Sequence, residues 1–183
     1  MEFKQVEVVL KDGTPCYLRS PGPNDGASVL RLLKKVSGET NYLSRYPDEI
    51  KISLFQEKQF LHSLLQSQKD LMICTYVRGR LVANAGINPV AEHERYAHRA
   101  NFGISILRSH WGLGIGSNLL SAITEGARAM NYEQLELEVI QSNERGIALY
   151  KKWGFEIYGA RRHGFKYRDG SYGDEYLMML SLK

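Results

Sequence analysis

Three glycines alternate in the segment Trp111-Gly112-Leu113-Gly114-Ile115-Gly116-Ser117-Asn118. A strand-like apolar run, Asn101 to Leu107, comes before it. Leu119, Leu120, Ile123 and Ala127 follow at helical spacing. Glycine lets a backbone turn tightly and lets a ligand approach it closely. A helix start leaves N–H groups without acceptors and carries partial positive charge. A strand running through such glycines into a helix therefore forms an anion site, well suited to a pyrophosphate. The Lys-Ser/Thr pair of a nucleotide P-loop is missing, because Ser117-Asn118 follows Gly116. A dinucleotide fingerprint is incomplete as well. Ser117 stands where its last glycine belongs, although Glu133 or Glu136 lies near the offset of a ribose-binding acid.

Further along, Glu136 and Glu138 alternate with Leu135, Leu137 and Val139, so the two acids share one face of a strand. They read as candidates for proton transfer or as solvated carboxylates. Asn143 stands at the head of a short helix that runs to Trp153, in a capping position. Basic and aromatic residues gather from Arg161 to Tyr172, expected as the loop between the last two strands. That loop is either a solvated hairpin tip or a wall of a binding site that uses Tyr167 or Tyr172. His93, His98 and His110 are not at metal-ligand spacing, and no metal site is expected. Cys16 and Cys74 lie outside the glycine segment, which argues against an acyl-cysteine intermediate. Two free thiols suit a reducing, cytoplasmic setting.

The elements that must position these groups follow from composition and periodicity. The 183 residues are 43% hydrophobic and 24% charged, which fits one domain with a sizeable core and excludes disorder, collagen and coiled coil. The net charge is 24 − 20 = +4 and the pI about 9.0, compatible with an anionic small ligand or with nucleic acid. No apolar run approaches the roughly 18 residues of a membrane span, and the first residues lack a signal-peptide pattern. The expected order is a hairpin turning at Asp12-Gly13, then two helices. The first carries Val29, Leu32, Leu33 and Val36 on one face, the second Phe60, Leu61, Leu64 and Leu65. Three strands come next, then the glycine turn and its helix, a strand, a short helix and two closing strands. Such an order predicts an α/β fold with a mixed sheet and helices on both faces.

The glycine segment resembles the acetyl-CoA-binding motif of the GNAT superfamily, the Gcn5-related N-acetyltransferases. Its pattern, Arg/Gln-x-x-Gly-x-Gly/Ala, falls on Trp111 to Gly116, with Trp111 in place of Arg or Gln. A second segment, Asn143 followed by Ala148-Leu149-Tyr150 and Gly154-Phe155, resembles the family's Asn-x4-Ala-Leu-Tyr-x3-Gly-Phe. The resemblance is specific from Asn101 to Phe155 and extends more loosely from Arg19 to Leu182. It implies a single N-acetyltransferase domain over residues 1–183, with a mostly antiparallel sheet, about four helices and a hairpin extension at about 1–19.

The implied reaction moves an acetyl group from acetyl-CoA to an amine by direct attack, without a metal. Tyr150 is the implied general acid to the CoA thiolate, and Glu138 the implied base, with Glu136 competing. Ile104, Ile106 and Arg108 would offer backbone groups to the pantetheine arm, Ile106 as the oxyanion donor. Trp111, Gly112, Leu113, Gly114, Ile115, Gly116 and Ser117 would bind the pyrophosphate, and Asn143 the pantetheine amides. Glu39 and Tyr42, with Tyr167 and Tyr172, would line the acceptor site. The acceptor is a small-molecule or protein amine; nucleic acid and membrane are not expected as partners, and a homodimer is left open. The alternatives are a CoA-binding sensor of the same fold without catalysis, and a basic RNA- or ribosome-associated protein.

Overall fold

An Asp–Gly turn opens the chain. Asp12 Oδ1 accepts from the Thr14 N–H at 3.0 Å, and Gly13 takes a φ of 82°. The turn joins β1 (Val6–Val9) to β2 (Pro15–Arg19). The computed structural model describes residues 1–183. Two helices follow, α1 (Gly26–Glu39) and α2 (Leu54–Gln66). Ser53 caps α2: its Oγ accepts from Gln56 N at 3.2 Å, and Gln56 Oε1 accepts from Ser53 N at 2.9 Å. Strands β3 (Leu71–Val77), β4 (Arg80–Pro89) and β5 (Arg99–Ile106) form a meander. Helix α3 (Ile115–Ala129) leads to β6 (Gln134–Ile140). Helix α4 (Glu144–Lys152) then leads to the closing hairpin of β7 (Glu156–Lys166) and β8 (Tyr172–Ser181).

All eight strands join one sheet in the order β1-β2-β3-β4-β5-β6-β8-β7. Every pairing is antiparallel except β5 with β6. The mixed sheet and four helices agree with the sequence-based expectation, and so does the order of the main elements. Leu71, Ile87 and Phe102 form one cross-strand row. Helix α3 rests on that face where Gly126 meets Leu71. Helix α4 shares the face, since Tyr150 meets the Phe102 ring edge-on at 6.2 Å. Cys74 points the other way, toward Asp25 and toward Glu57 of α2. Leu119, Leu120, Ile123 and Ala127 are wholly buried, as their spacing requires. On α2 only part of the expected apolar face is core: Leu61 is buried, whereas Phe60 is 47% exposed.

The closing hairpin corrects one expectation. Arg161 to Lys166 is strand rather than loop, and the turn shrinks to Tyr167–Ser171. Arg161 pairs with Glu175 and Phe165 with Gly173, with a register shift between them where His163 takes a φ of 54°. This edge strand carries charge on solvated positions, so its sequence lacks the apolar alternation that marks a strand. β6, by contrast, is interior, between β5 and β8. No helix is long and apolar enough to cross a membrane.

The contact between α3 and the sheet generates a stability test. A Cβ on Gly126 would overlap Leu71 Cδ2, and Leu71 is 1% exposed. Gly126→Ala should therefore cost about 1–3 kcal/mol by overpacking, although alanine is the better helix former. Gly126→Ala combined with Leu71→Val should recover part of that loss in a denaturant-unfolding cycle. Additive losses would show that the two sites do not touch.

Candidate active site

The site begins where two neighbouring strands part. β5 pairs with β6 only from Arg99–Gln134 to Asn101–Glu136. On its other side β5 stays paired with β4 as far as Ala83–Ile106. Leu107 N donates to Val82 O at 2.9 Å, so Ala83–Ile106 is a non-hydrogen-bonded pair. Alternation then turns the N–H groups of Ile104 and Ile106 away from β4, into the gap that β6 leaves. The Ile106 carbonyl is satisfied there by Trp111, whose Nε1 donates to it at 2.8 Å. Trp111 thus ties the end of β5 to the glycine turn, and Arg108 and Arg145 flank its ring at 5.7 and 5.2 Å.

Gly112 and Gly114 adopt φ of 82° and 91°, backbone angles that disfavour any side chain. The N–H groups of Gly112, Leu113 and Gly114 find no acceptor in the protein. The first intrahelical bond of α3 is Asn118 N to Gly114 O at 3.1 Å, so the N–H groups of Ile115, Gly116 and Ser117 are open as well. Six consecutive donors therefore surround one turn, a ready anion cradle. Gly116 has a different task. A Cβ there would lie 2.7 Å from Leu149 Cδ2, so this glycine allows α3 to approach α4. The Leu113 side chain lies outside the cleft, and its carbonyl accepts from Lys11 N at 3.1 Å.

A cleft of about 530 Å³ runs from this turn past Ile104 and Ile106 to α4, lined by Ser117, Asn143 and Tyr150 among others. Asn143 caps α4, its Oδ1 accepting from Gly146 N at 3.1 Å. Tyr150 is 8% exposed, packed on Phe102 and on Phe155 at 5.7 Å. Its hydroxyl has no protein partner, and burial pushes its pKa up to about 12. The phenol is therefore a proton donor at any physiological pH.

A second cavity of about 500 Å³ adjoins the first and shares Thr40, Tyr42, Trp111 and Ser142 with it. Glu39, Arg108, Tyr167 and Asp169 also line it. Glu39 Oε2 accepts from Arg108 N at 2.7 Å, which holds the end of α1 against the end of β5. Glu39, Tyr42 and Tyr167 thus come together, whereas Tyr172 lies outside this cavity, stacked on His163 at 4.4 Å.

The two acids of β6 are both engaged. Arg161 binds both oxygens of Glu138, at 2.8 and 2.6 Å, and reaches Glu175 at 2.9 Å. Glu138 lines neither cavity. Glu136 is buried against Arg99, whose Nη2 donates to Oε2 at 2.8 Å, and that bond holds its carboxyl below the usual range. Sequence reasoning missed the Arg161–Glu138 pair, the Trp111–Ile106 bond and the reach of Lys11. Each joins residues whose proximity no local pattern announces.

Residues 39–155 match the family model described as Acetyltransferase (GNAT) family. Over 114 residues the chain is 36% identical to the L-amino acid N-acetyltransferase AaaT of Escherichia coli (strain K12), a match covering 60% of this chain and 66% of that relative. The match therefore spans just under two thirds of that curated relative. A solved GNAT-family acetyltransferase from Streptococcus pneumoniae superposes with a TM-score of 0.87 at 28% identity, covering 92% of this chain and 99% of that one. The protein yncA of Salmonella typhimurium, solved with its cofactor acetyl-CoA, has the same fold, with a TM-score of 0.80 at 16% identity over 91% and 93% of the two chains.

The desolvated phenol of Tyr150 gives a pH test. Its folded pKa, about 12, lies above the ~10 of an unfolded tyrosine. Its contribution to stability is therefore complete below pH ~10 and fades as pH rises toward the folded value. Above pH ~10 the unfolding free energy of Tyr150→Phe should fall less steeply than that of the parent. Parallel pH slopes would mean that Tyr150 ionises as an exposed phenol does.

Proposed function

The chain belongs to the acetyltransferase (GNAT) family, and we propose that it moves an acetyl group from acetyl-CoA to a small primary amine. The single observation that carries this reading is a continuous row of open backbone donors. It runs from the turn at Gly112 to Ile104 and Ile106, along a cleft that Tyr150 also lines. Such a row fits a long ligand with a diphosphate at one end and amides along its arm. Acetyl-CoA supplies the acyl group as an activated thioester. The N–H groups of residues 112–117 would hold its diphosphate, and Ile104 its pantetheine arm. Asn143, already occupied as a helix cap through Oδ1, has its amide NH₂ left for that arm.

Ile106 N–H would donate to the thioester carbonyl oxygen as negative charge develops on it. The acceptor nitrogen forms the new C–N bond, the C–S bond breaks, Tyr150 passes its proton to the departing sulfur, and the proton that the nitrogen sheds as the amide forms restores the phenol. An alkylammonium must first lose a proton, since its pKa is near ~10. Glu39 is the carboxylate best situated to take the ammonium, because it lines the acceptor cavity with one oxygen free of hydrogen bonds. Glu138 would act only if substrate drew Arg161 away from it.

The acceptor we favour is a free amino acid. Arg108 has no acidic partner and lines the cavity together with Glu39 and Asp169, which offers a cation for a carboxylate and acidic groups for an ammonium. The activity named for the Escherichia coli relative agrees with this. A CoA sensor without catalysis would have no use for a buried phenol free of partners. An RNA-binding role draws little support from the Arg161–Arg168 segment, because Arg161 and Arg168 are taken up by Glu138, Glu175 and Asp48. A single catalytic domain with an N-terminal hairpin, in a cytoplasmic setting, completes the reading.

Three measurements test it. CoA at a hundred times its Kd should add ~2.7 kcal/mol of stability, seen as a raised Tm. No rise with CoA, or a larger one with NAD, would reject the reading. Thiol release from acetyl-CoA should be faster with L-amino acids than with the amines made by removing their carboxylates. Tyr150→Phe keeps the ring and its packing and loses only the proton. It should lower kcat by about 10²-fold with CoA affinity nearly unchanged. Turnover within about twofold of the parent would remove Tyr150 as the acid.

A further inference from the structure

The turn that would hold the diphosphate carries no cationic side chain of its own from Trp111 to Asn118, and Trp111 spends its indole N–H on Ile106. Two cations reach it from elsewhere in the chain: Arg145 of α4, whose Nη1 lies 3.8 Å from where a Cβ on Gly112 would stand, and Lys11. Lys11, at the tip of the β1–β2 hairpin, donates its backbone N–H to Leu113 O at 3.1 Å. Its stem then lies along Gly114. Cγ, Cε and Cδ come within 3.4, 3.7 and 3.9 Å of the position a Cβ on Gly114 would take. Lys11 lines the cleft together with Gly112, Gly114, Ile115, Gly116 and Ser117. No carboxylate pairs with its ammonium group. An unpaired ammonium beside six open N–H donors raises the positive potential of one small concavity.

We propose that the N-terminal hairpin is a working part of the cosubstrate site, with Lys11 as a side-chain cation for the diphosphate of CoA at Gly114. The inference rests on the acetyl-CoA reading above and extends it to a segment outside the matched residues 39–155. The main-chain bond to Leu113 fixes where the lysine stands, and the tight turn at Gly13 returns the chain to β2. Lys11 thus adds charge at Gly114, as Arg145 does beside Gly112, where Trp111 provides none. The ammonium contributes charge without directional demands, while the N–H groups orient the phosphate oxygens.

Binding of CoA and of dephospho-CoA, which keeps the diphosphate but lacks the ribose phosphate, is measured by calorimetry. The proteins are the parent, Lys11→Met and Lys11→Arg. Methionine keeps the stem over Gly114 and the backbone bond to Leu113, so the folded hairpin is retained. Lys11→Met should weaken both ligands roughly tenfold, with a shallower salt dependence, and Lys11→Arg should stay within about threefold of the parent. If Lys11→Met binds CoA within about twofold of the parent, the proposal is overturned while the acetyl-CoA reading stands. A loss seen with CoA but absent with dephospho-CoA overturns the diphosphate assignment in favour of the ribose phosphate. No binding of CoA by the parent overturns both proposals.

Discussion

Backbone donors and acceptors buried in a protein must find partners, and the parting of β5 from β6 breaks that rule locally. Three residues of parallel pairing hold the strands together at one end. Beyond Asn101 and Glu136, β6 leaves with β8 while β5 stays with β4. One side of β5 is then left without a neighbour. Much of the surrounding architecture answers this defect. Trp111 satisfies one carbonyl, α4 closes the far wall with Tyr150 and Asn143, and α1 reaches across through Glu39 to Arg108 N. The remaining N–H groups are what a ligand can use.

The helices are set by what the gap demands. α3 must start at the end of β5, so that its open N–H groups face the same cleft, and Gly114 in a left-handed conformation makes that bend. α3 must also lie close to α4, or the cleft would open into a trough; Gly116 permits the approach to Leu149. The aromatic trio of Phe102, Tyr150 and Phe155 then fixes the phenol by packing rather than by hydrogen bonds. That choice leaves the hydroxyl free while keeping the ring rigid, which suits a group that must give up a proton at one point.

The parts of this arrangement that depend on local periodicity were legible in the sequence. The α3 face, the glycine turn, the Asn143 cap and the order of strands and helices all follow from residues within one or two turns of each other. What stayed hidden depends on residues far apart in the chain. Nothing near Glu138 announces that Arg161 will bind both its oxygens, and nothing near Gly114 points to Lys11. Trp111 looked like a departure from a motif; folded, it has a structural use of its own. The β7 strand was hidden for another reason. Its charged positions pair with β8 at the rim of the sheet, where neither face needs to be apolar.

That rim bears on how the molecule behaves in a crowded solution. A sheet of eight strands has two open edges, each a template for pairing with another chain. One edge is β1, only four residues long. The other is β7, eleven residues long, and length alone would make it hazardous. The register shift around His163 twists it out of line midway, and Arg162 and Lys166 set positive charge beside the break. A second copy approaching this edge would meet an interrupted ladder and like charge, so the charged positions that disguised the strand also make it a poor template for another chain.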